Sequence, residues 1–317
     1  MNVIPLKGGS LSKTYIMPHE KVVRKEVSRK ENREYGFMRW YSQLMKLQKY
    51  YQLHPDLFPK VVNVGANDKS SWFDVQYFIN FRDIKTILSK DKLTEDQIFR
   101  ISSAVWKGLN TLHSHTFETA KGCPKLYYRE EVEQKIMDSI KLPSFNDFFY
   151  NGTHGFGDTI VTGIAGYLYD LENYFSEIDD TEGHNIHGNP TLENILYSFE
   201  EDRVIFIDVY DESMWNTKYL DYAQVLQCSR SHYGYINDRD VRVTGMGVFN
   251  PNPVPENFEI FNKHFISNLP EDKKQLIDIL EATQFIRMLP FKLLAGDINK
   301  AKYFYVYACK LFYETLK

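Results

Sequence analysis

The stretch "KVVRKEVSRKENREYGFMRWYSQLMKLQKYYQL", Lys21 to Leu53, changes its hydrophobic period part-way along. KVVRKEV alternates with period two and reads as a strand. Beyond Ser28, Tyr35, Met38, Tyr41, Leu44 or Met45, and Leu47 recur at spacings of three and four, as on one apolar face of a helix. Ser28 is placed as its N-cap, with Glu31 as capping-box partner.

Working outward, VIPL (Val3 to Leu6) and TYIM (Thr14 to Met17) read as two strands around the glycine and serine turn KGGSLSK. Downstream, FPKVVNVGAND and SWFDVQYFIN read as two more strands. The order is β-β-β-α-β-β. After Phe81 the patterning is mostly helical, including residues 94–115 with Thr94 as N-cap, 127–140, 158–178, 220–236, 255–269, 270–294 and 299–316. A strand, RVIFIDVY (Arg203 to Tyr210), interrupts them. The expected fold class is α+β and bilobal, with a small antiparallel-sheet lobe over residues 1–80 and a larger helical lobe over residues 81–317.

The bulk numbers agree with a globular protein: 317 residues, 25% charged and 43% hydrophobic. A net charge of −4 offers no global field for nucleic acid or anionic membrane, so neither is expected as a partner. The three cysteines are widely spaced, without a Cys-x-x-Cys pair, which fits a reducing cytosol. The N-terminal residues lack the pattern of a secretory leader, and no apolar run approaches the roughly 20 residues of a membrane span, so a cytoplasmic protein is expected.

Four short stretches carry chemistry. In LKGGSLSKTY, Gly8 and Gly9 let the backbone approach a ligand, and Ser10, Ser12 and Lys13 add donors. In VVRKEV, Arg24 and Lys25 lie on opposite strand faces, and one of them can reach beneath that turn to neutralise phosphate. Glu34, on the next helix, is a candidate to orient the cation. In HGNPTLENIL, His187, Gly188, Asn189 and Asn194 follow an H-G-x(5)-N spacing, and the Asn194 carboxamide oxygen is a hard ligand suited to Mg²⁺ beside a carboxylate. In VIFIDVYD, Asp208 ends an apolar strand, where a carboxylate needs a cation, metal or donors. The interval between Asn194 and Asp208 suits a β-hairpin that holds both over one site.

In this order the stretches resemble the aminoglycoside phosphotransferase and choline kinase-like superfamily of small-molecule kinases, which have a protein-kinase-like fold. LKGGSLSKTY is similar to the nucleotide loop, HGNPTLENIL to the catalytic loop, FIDVYD to the metal-binding segment, and YLDYAQVL to the helix that follows. YYREEVEQKI and IRMLPFKLL resemble segments of a branch associated with bacterial capsule and surface-polysaccharide genes. The resemblance implies ATP as co-substrate, Mg²⁺ as cofactor, and a hydroxyl of a sugar, polyol or amino alcohol as acceptor. Gly8, Gly9 and Ser10 would cover the phosphates. Lys25, or Arg24 if the register differs by one, would contact them, oriented by Glu34. Phe78 to Phe81, with Asn80, would form the hinge beside adenine. Asn194 and Asp208 would hold the metal. Asp221 would buttress the catalytic loop.

Asn189, next to His187, stands where the family has its catalytic aspartate. A carboxamide can hydrogen-bond a hydroxyl but cannot accept its proton. The chain is therefore expected to be a kinase with its base disabled, a nucleotide-binding pseudokinase with a regulatory role, or an enzyme using Glu193 or Asp211 instead.

Overall fold

The structure, a computed structural model, describes residues 3–6, 12–30, 33–179, 181–210 and 213–316, with the backbone alone at 33 and 34. Packing divides the chain into two compact units, Met1–Thr86 with His187–Ser213, and Ile87–Ile186 with Met214–Lys317. The division therefore differs from the single expected cut after residue 80.

The first unit is built on five strands: β1 (Ile4–Leu6), β2 (Ser12–Met17), β3 (Val22–Ser28), β4 (Val61–Ala66) and β5 (Ser70–Gln76). They form one antiparallel sheet in the order β1-β2-β3-β5-β4. Helix α1 (Arg33–Leu53) follows β3, so the β-β-β-α-β-β order holds. Its apolar register agrees with the expected one at Leu44 and Leu47 and differs at the other positions. Tyr35, Met38, Tyr41 and Met45 are exposed, with Tyr35 at 60%, whereas Trp40, Leu44, Leu47 and Tyr50 are buried. An aromatic-rich helix satisfies the 3.6-residue period on two faces, and the sheet selects one. Trp40 packs on Phe73 of β5 at 5.6 Å and donates its indole N–H to the Lys25 carbonyl at 3.3 Å. Nor does Ser28 cap α1. It ends β3, and its hydroxyl accepts from the Lys30 N–H at 3.2 Å, while Glu31 lies outside the described residues.

The short strand β6 (Arg82–Asp83) pairs with the hairpin Ile195–Ser198 and Arg203–Phe206. This hairpin joins the first unit because Phe206 donates its N–H to the Leu57 carbonyl (2.8 Å) and packs its ring on Phe58 (5.8 Å), which meets Tyr50 of α1 at 5.1 Å.

The second unit is mainly helical. The helix Glu95–His113 opens with a complete capping box: Thr94 accepts from the Gln97 N–H, and the Gln97 side chain accepts from the Thr94 N–H. The helices Lys218–Ser229, Lys274–Leu294 and Ile298–Thr315 carry long buried faces. Residues 158–178 are not one helix. Thr159–Thr162 is a strand, and only Leu168–Glu177 is α-helical. The β-branched run Thr-Ile-Val-Thr favours a strand, and Gly157, at φ +57°, turns it back on Thr153–Phe156. A hairpin unforeseen in sequence, Arg242–Thr244 with Gly247–Phe249, completes a four-stranded sheet. Asp221 is fully buried and bonded to His113 Nε2 at 2.9 Å. Glu131 accepts from Arg287 Nε at 2.7 Å, which joins the segments 127–136 and 286–294. Among the described residues, no helix is long and apolar enough to cross a membrane.

Candidate functional site

The period of β3 sorts its two cations. Arg24 lies opposite Asp74 and Lys25 opposite Phe73, so they project from opposite faces of the sheet. Arg24 makes a two-pronged bond to Asp74 (2.7 and 2.9 Å) and lies over Trp72, and the Asp74 hydrogen bond raises its pKa. Lys25 is on the face covered by α1, where its ammonium donates to Asp208 Oδ1.

Asp208 stands two residues beyond the end of the 195–206 hairpin, with left-handed backbone at φ +58°. Gln43 of α1 holds it there by donating to Asp208 Oδ1 (2.8 Å) and to the Val209 carbonyl (2.7 Å). Partial desolvation pushes the carboxyl pKa up, but the Lys25 charge and the Lys25 and Gln43 hydrogen bonds outweigh it and hold the pKa below the ordinary value. Both bonds end on Oδ1, which leaves Oδ2 without a hydrogen bond among the described residues.

The H-G-N loop closes on itself. Asn189 donates its N–H to His187 Nδ1 (3.1 Å), so the imidazole proton is on Nε2, which donates to the Ile207 carbonyl (2.9 Å). His187 is fully buried with both ring nitrogens engaged, and it fixes the loop from within. Asn194 donates its side-chain N–H to the Asn189 carbonyl (3.0 Å), which leaves Oδ1 without a hydrogen bond among the described residues. The Asn194 carbonyl accepts from the Ile207 N–H (2.9 Å), so Asn194 and Asp208 leave the open end of the hairpin side by side. Gly188, at φ +81°, is required here, because an added Cβ would lie 2.7 Å from the Tyr210 carbonyl oxygen.

Ser12, Lys25, Gly36, Arg39, Trp40, Gln43, Asn189, Asp208, Val209 and Tyr210 line one cleft of about 440 Å³, open solvent included. Four residues expected from sequence thus meet here: Ser12, Lys25, Asn189 and Asp208. The Asn189 carboxamide makes no hydrogen bond among the described residues. Other expected residues lie elsewhere. Arg24 is on the far face, and Lys13 is exposed on β2 opposite Glu26. Phe78 packs edge-on against Phe81 (5.2 Å), and Asn80 donates to Glu200 (2.9 Å). Glu193, one candidate for a substitute base, is paired with Lys85 at 3.0 Å. Gly8, Gly9, Ser10, Asp211 and the side chain of Glu34 lie outside the described residues.

The sequence reading missed the polar stripe of α1. Arg39, Gln43 and Lys46 recur at helical spacing. Arg39 lies over the Tyr210 ring (5.3 Å), and Lys46 donates to the Tyr210 carbonyl. The signal was present as a polar i, i+4, i+7 pattern, but the same spacing marks an ordinary solvated helix face.

The donor types suit a divalent cation. Asp208 Oδ2 is a carboxylate oxygen without a hydrogen bond, and Asn194 Oδ1 is a neutral hard oxygen. Among the described residues there is no group of three or more His, Cys, Asp or Glu able to hold a metal, so phosphate oxygens and water would complete the shell.

No protein-family profile matches the chain, and no curated protein matches it by sequence. Solved structures do share its fold. A candidate fructosamine-3-kinase from Haemophilus somnus 129PT superposes with a TM-score of 0.56 at 12% identity, covering 100% of this chain and 92% of that one. A variant of aminoglycoside 2'-phosphotransferase IIIa, solved with GDP, superposes with a TM-score of 0.59 at 12% identity, covering 99% and 92%. The chain has the α+β kinase-like fold, with an antiparallel sheet in its N-terminal region and a helical C-terminal part.

Proposed function

We propose that the chain binds a nucleoside triphosphate with Mg²⁺ in the Lys25–Asp208 cleft and is a phosphotransferase for a small-molecule hydroxyl, slowed by Asn189. One observation carries this reading: a strand cation, a strand-end carboxylate with an unengaged oxygen and an unengaged Asn189 carboxamide converge on one cleft. The fold shared with small-molecule kinases supports it.

Each residue then has a role. Lys25 neutralises phosphate. Asp208 and Asn194 hold Mg²⁺, which when bound supplies charge stabilisation to the polyphosphate. Gln43 fixes the carboxylate, and His187 fixes the loop. Asn189 accepts a hydrogen bond from the acceptor hydroxyl and orients it, without removing its proton. General-base help is worth about 10²–10⁴-fold, or roughly 3–5.5 kcal/mol of barrier, so binding persists while turnover is low. The proposed acceptor is a sugar, polyol or amino alcohol of surface-polysaccharide metabolism. That class rests on the likeness of segments 127–136 and 286–294 to capsule-associated proteins.

The asparagine also favours a second reading, a nucleotide-binding pseudokinase with a regulatory role. Thermal shift with Mg²⁺ and ATP or GTP tests binding, and ³¹P NMR over an acceptor panel tests turnover. GTP is included because one solved relative in fold holds GDP. Stabilisation with turnover that rises in Asn189→Asp supports the kinase. Stabilisation without turnover in either protein supports the regulator. No stabilisation by either nucleotide contradicts both.

A further inference from the structure

The two cations of the cleft are not equivalent. Lys25 is already bound to a carboxylate. Arg39 has no carboxylate partner among the described residues, and its one contact is the face of the Tyr210 ring, 5.3 Å from the guanidinium carbon. It is half-buried and lines the cleft beside Asn189 and Asp208.

Its surroundings hold it in place. Arg39 lies one helical turn before Gln43 on the same face of α1, and Gln43 is pinned by its bonds to Asp208 and the Val209 carbonyl. Tyr210 is pinned as well, since its N–H donates to the His187 carbonyl (2.9 Å) and its carbonyl accepts from Lys46. The ring beneath the guanidinium is thus fixed, and the donor fork makes no hydrogen bond among the described residues. The charge balance is also unusual. The chain carries −4 overall, yet among the described residues that line the cleft two are cations and one is a carboxylate. A planar guanidinium bonded to no carboxylate among the described residues is suited to two-pronged recognition of phosphate.

We propose that Arg39 is a phosphate-binding residue of this cleft, a second cation supplied by α1. It takes phosphate oxygens of the polyphosphate, while Lys25 is shared between the polyphosphate and Asp208. The naming of the ligand as a nucleotide rests on the function proposed above, whereas the anion site does not.

Calorimetric titration of inorganic tripolyphosphate, Mg–ATP and AMP into the wild-type chain, Arg39→Met and Arg39→Lys separates the two ideas. Arg39→Met is expected to weaken tripolyphosphate and ATP by about 10- to 100-fold and to leave AMP within about twofold. Arg39→Lys keeps the charge but loses the fork, and should fall between. Should the Met variant melt early, the Lys variant carries the comparison. Equal tripolyphosphate and ATP affinity in wild type and variants overturns the Arg39 assignment and leaves the nucleotide reading standing. Arg39-dependent binding of tripolyphosphate without binding of ATP upholds the anion site and overturns the nucleotide reading. A wild-type chain that binds neither probe overturns both.

Discussion

Lys25 Nζ is bonded to Asp208 Oδ1 although 183 residues separate them in sequence. The two charges offset each other, and the pairing holds the Asp208 pKa below its ordinary value. A carboxyl with a depressed folded-state pKa adds stability above its ordinary value, and that stability is lost as pH falls through the folded value. Lys25→Met should therefore flatten the acid limb of a urea-stability profile below about pH 4. It should also abolish the thermal shift with Mg²⁺ and ATP. An unchanged acid limb would contradict the pairing.

Asp208→Asn keeps the Gln43 bond to Oδ1 and removes the charge. The melting midpoint should move by only a few degrees, since the pair is exposed on the Asp208 side, at 44%. The part of the ATP thermal shift that depends on Mg²⁺ should disappear. A Mg²⁺ dependence equal to that of the wild type would remove Asp208 from the metal site.

Asn189→Asp places a carboxylate at a cleft position where the side chain has no hydrogen bond among the described residues. Turnover with the correct acceptor should rise by about 10²–10⁴-fold, with nucleotide affinity changed by less than about tenfold. A gain in affinity without a gain in rate would favour the pseudokinase.

Gly188→Ala should cost about 2–4 kcal/mol in equilibrium unfolding. The new methyl carbon meets the Tyr210 carbonyl oxygen at 2.7 Å, and φ is +81°. By contrast, Gly245→Ala, at φ +58° with nothing within 4 Å, carries only the strain of positive φ and should cost about 1 kcal/mol.

His232 tests burial in the second unit. Its pKa is pushed from the ordinary 6.5 down to about 4 by desolvation beside Phe258. The unfolded chain binds this proton first, so stability should fall as pH drops from 6.5 toward 4, by up to about 3 kcal/mol. His232→Asn suits the left-handed backbone at φ +57° and should flatten that decline. His154, lowered by the same cause, remains in both proteins, so the difference isolates His232.

The sequence alone determined the order of elements in the first unit, because the period switch at Ser28 and the glycine-bearing turns are local signals. It also determined the hairpin between Asn194 and Asp208, and the pairing of the His187 loop with a strand-end acid. What it left open was rotational. Two apolar stripes on α1 fit the helical period, and only the docking of Trp40 on Phe73 selects one. Arg24 and Lys25 differ by one residue, and only pairing with β5 assigns Arg24 to Asp74 and Lys25 to Asp208. The same docking places Arg39 and Gln43 in the wall of the cleft. Periodicity sets which residues share a face. Which face is buried depends on long-range packing, and in this chain packing selected the residues that line the site.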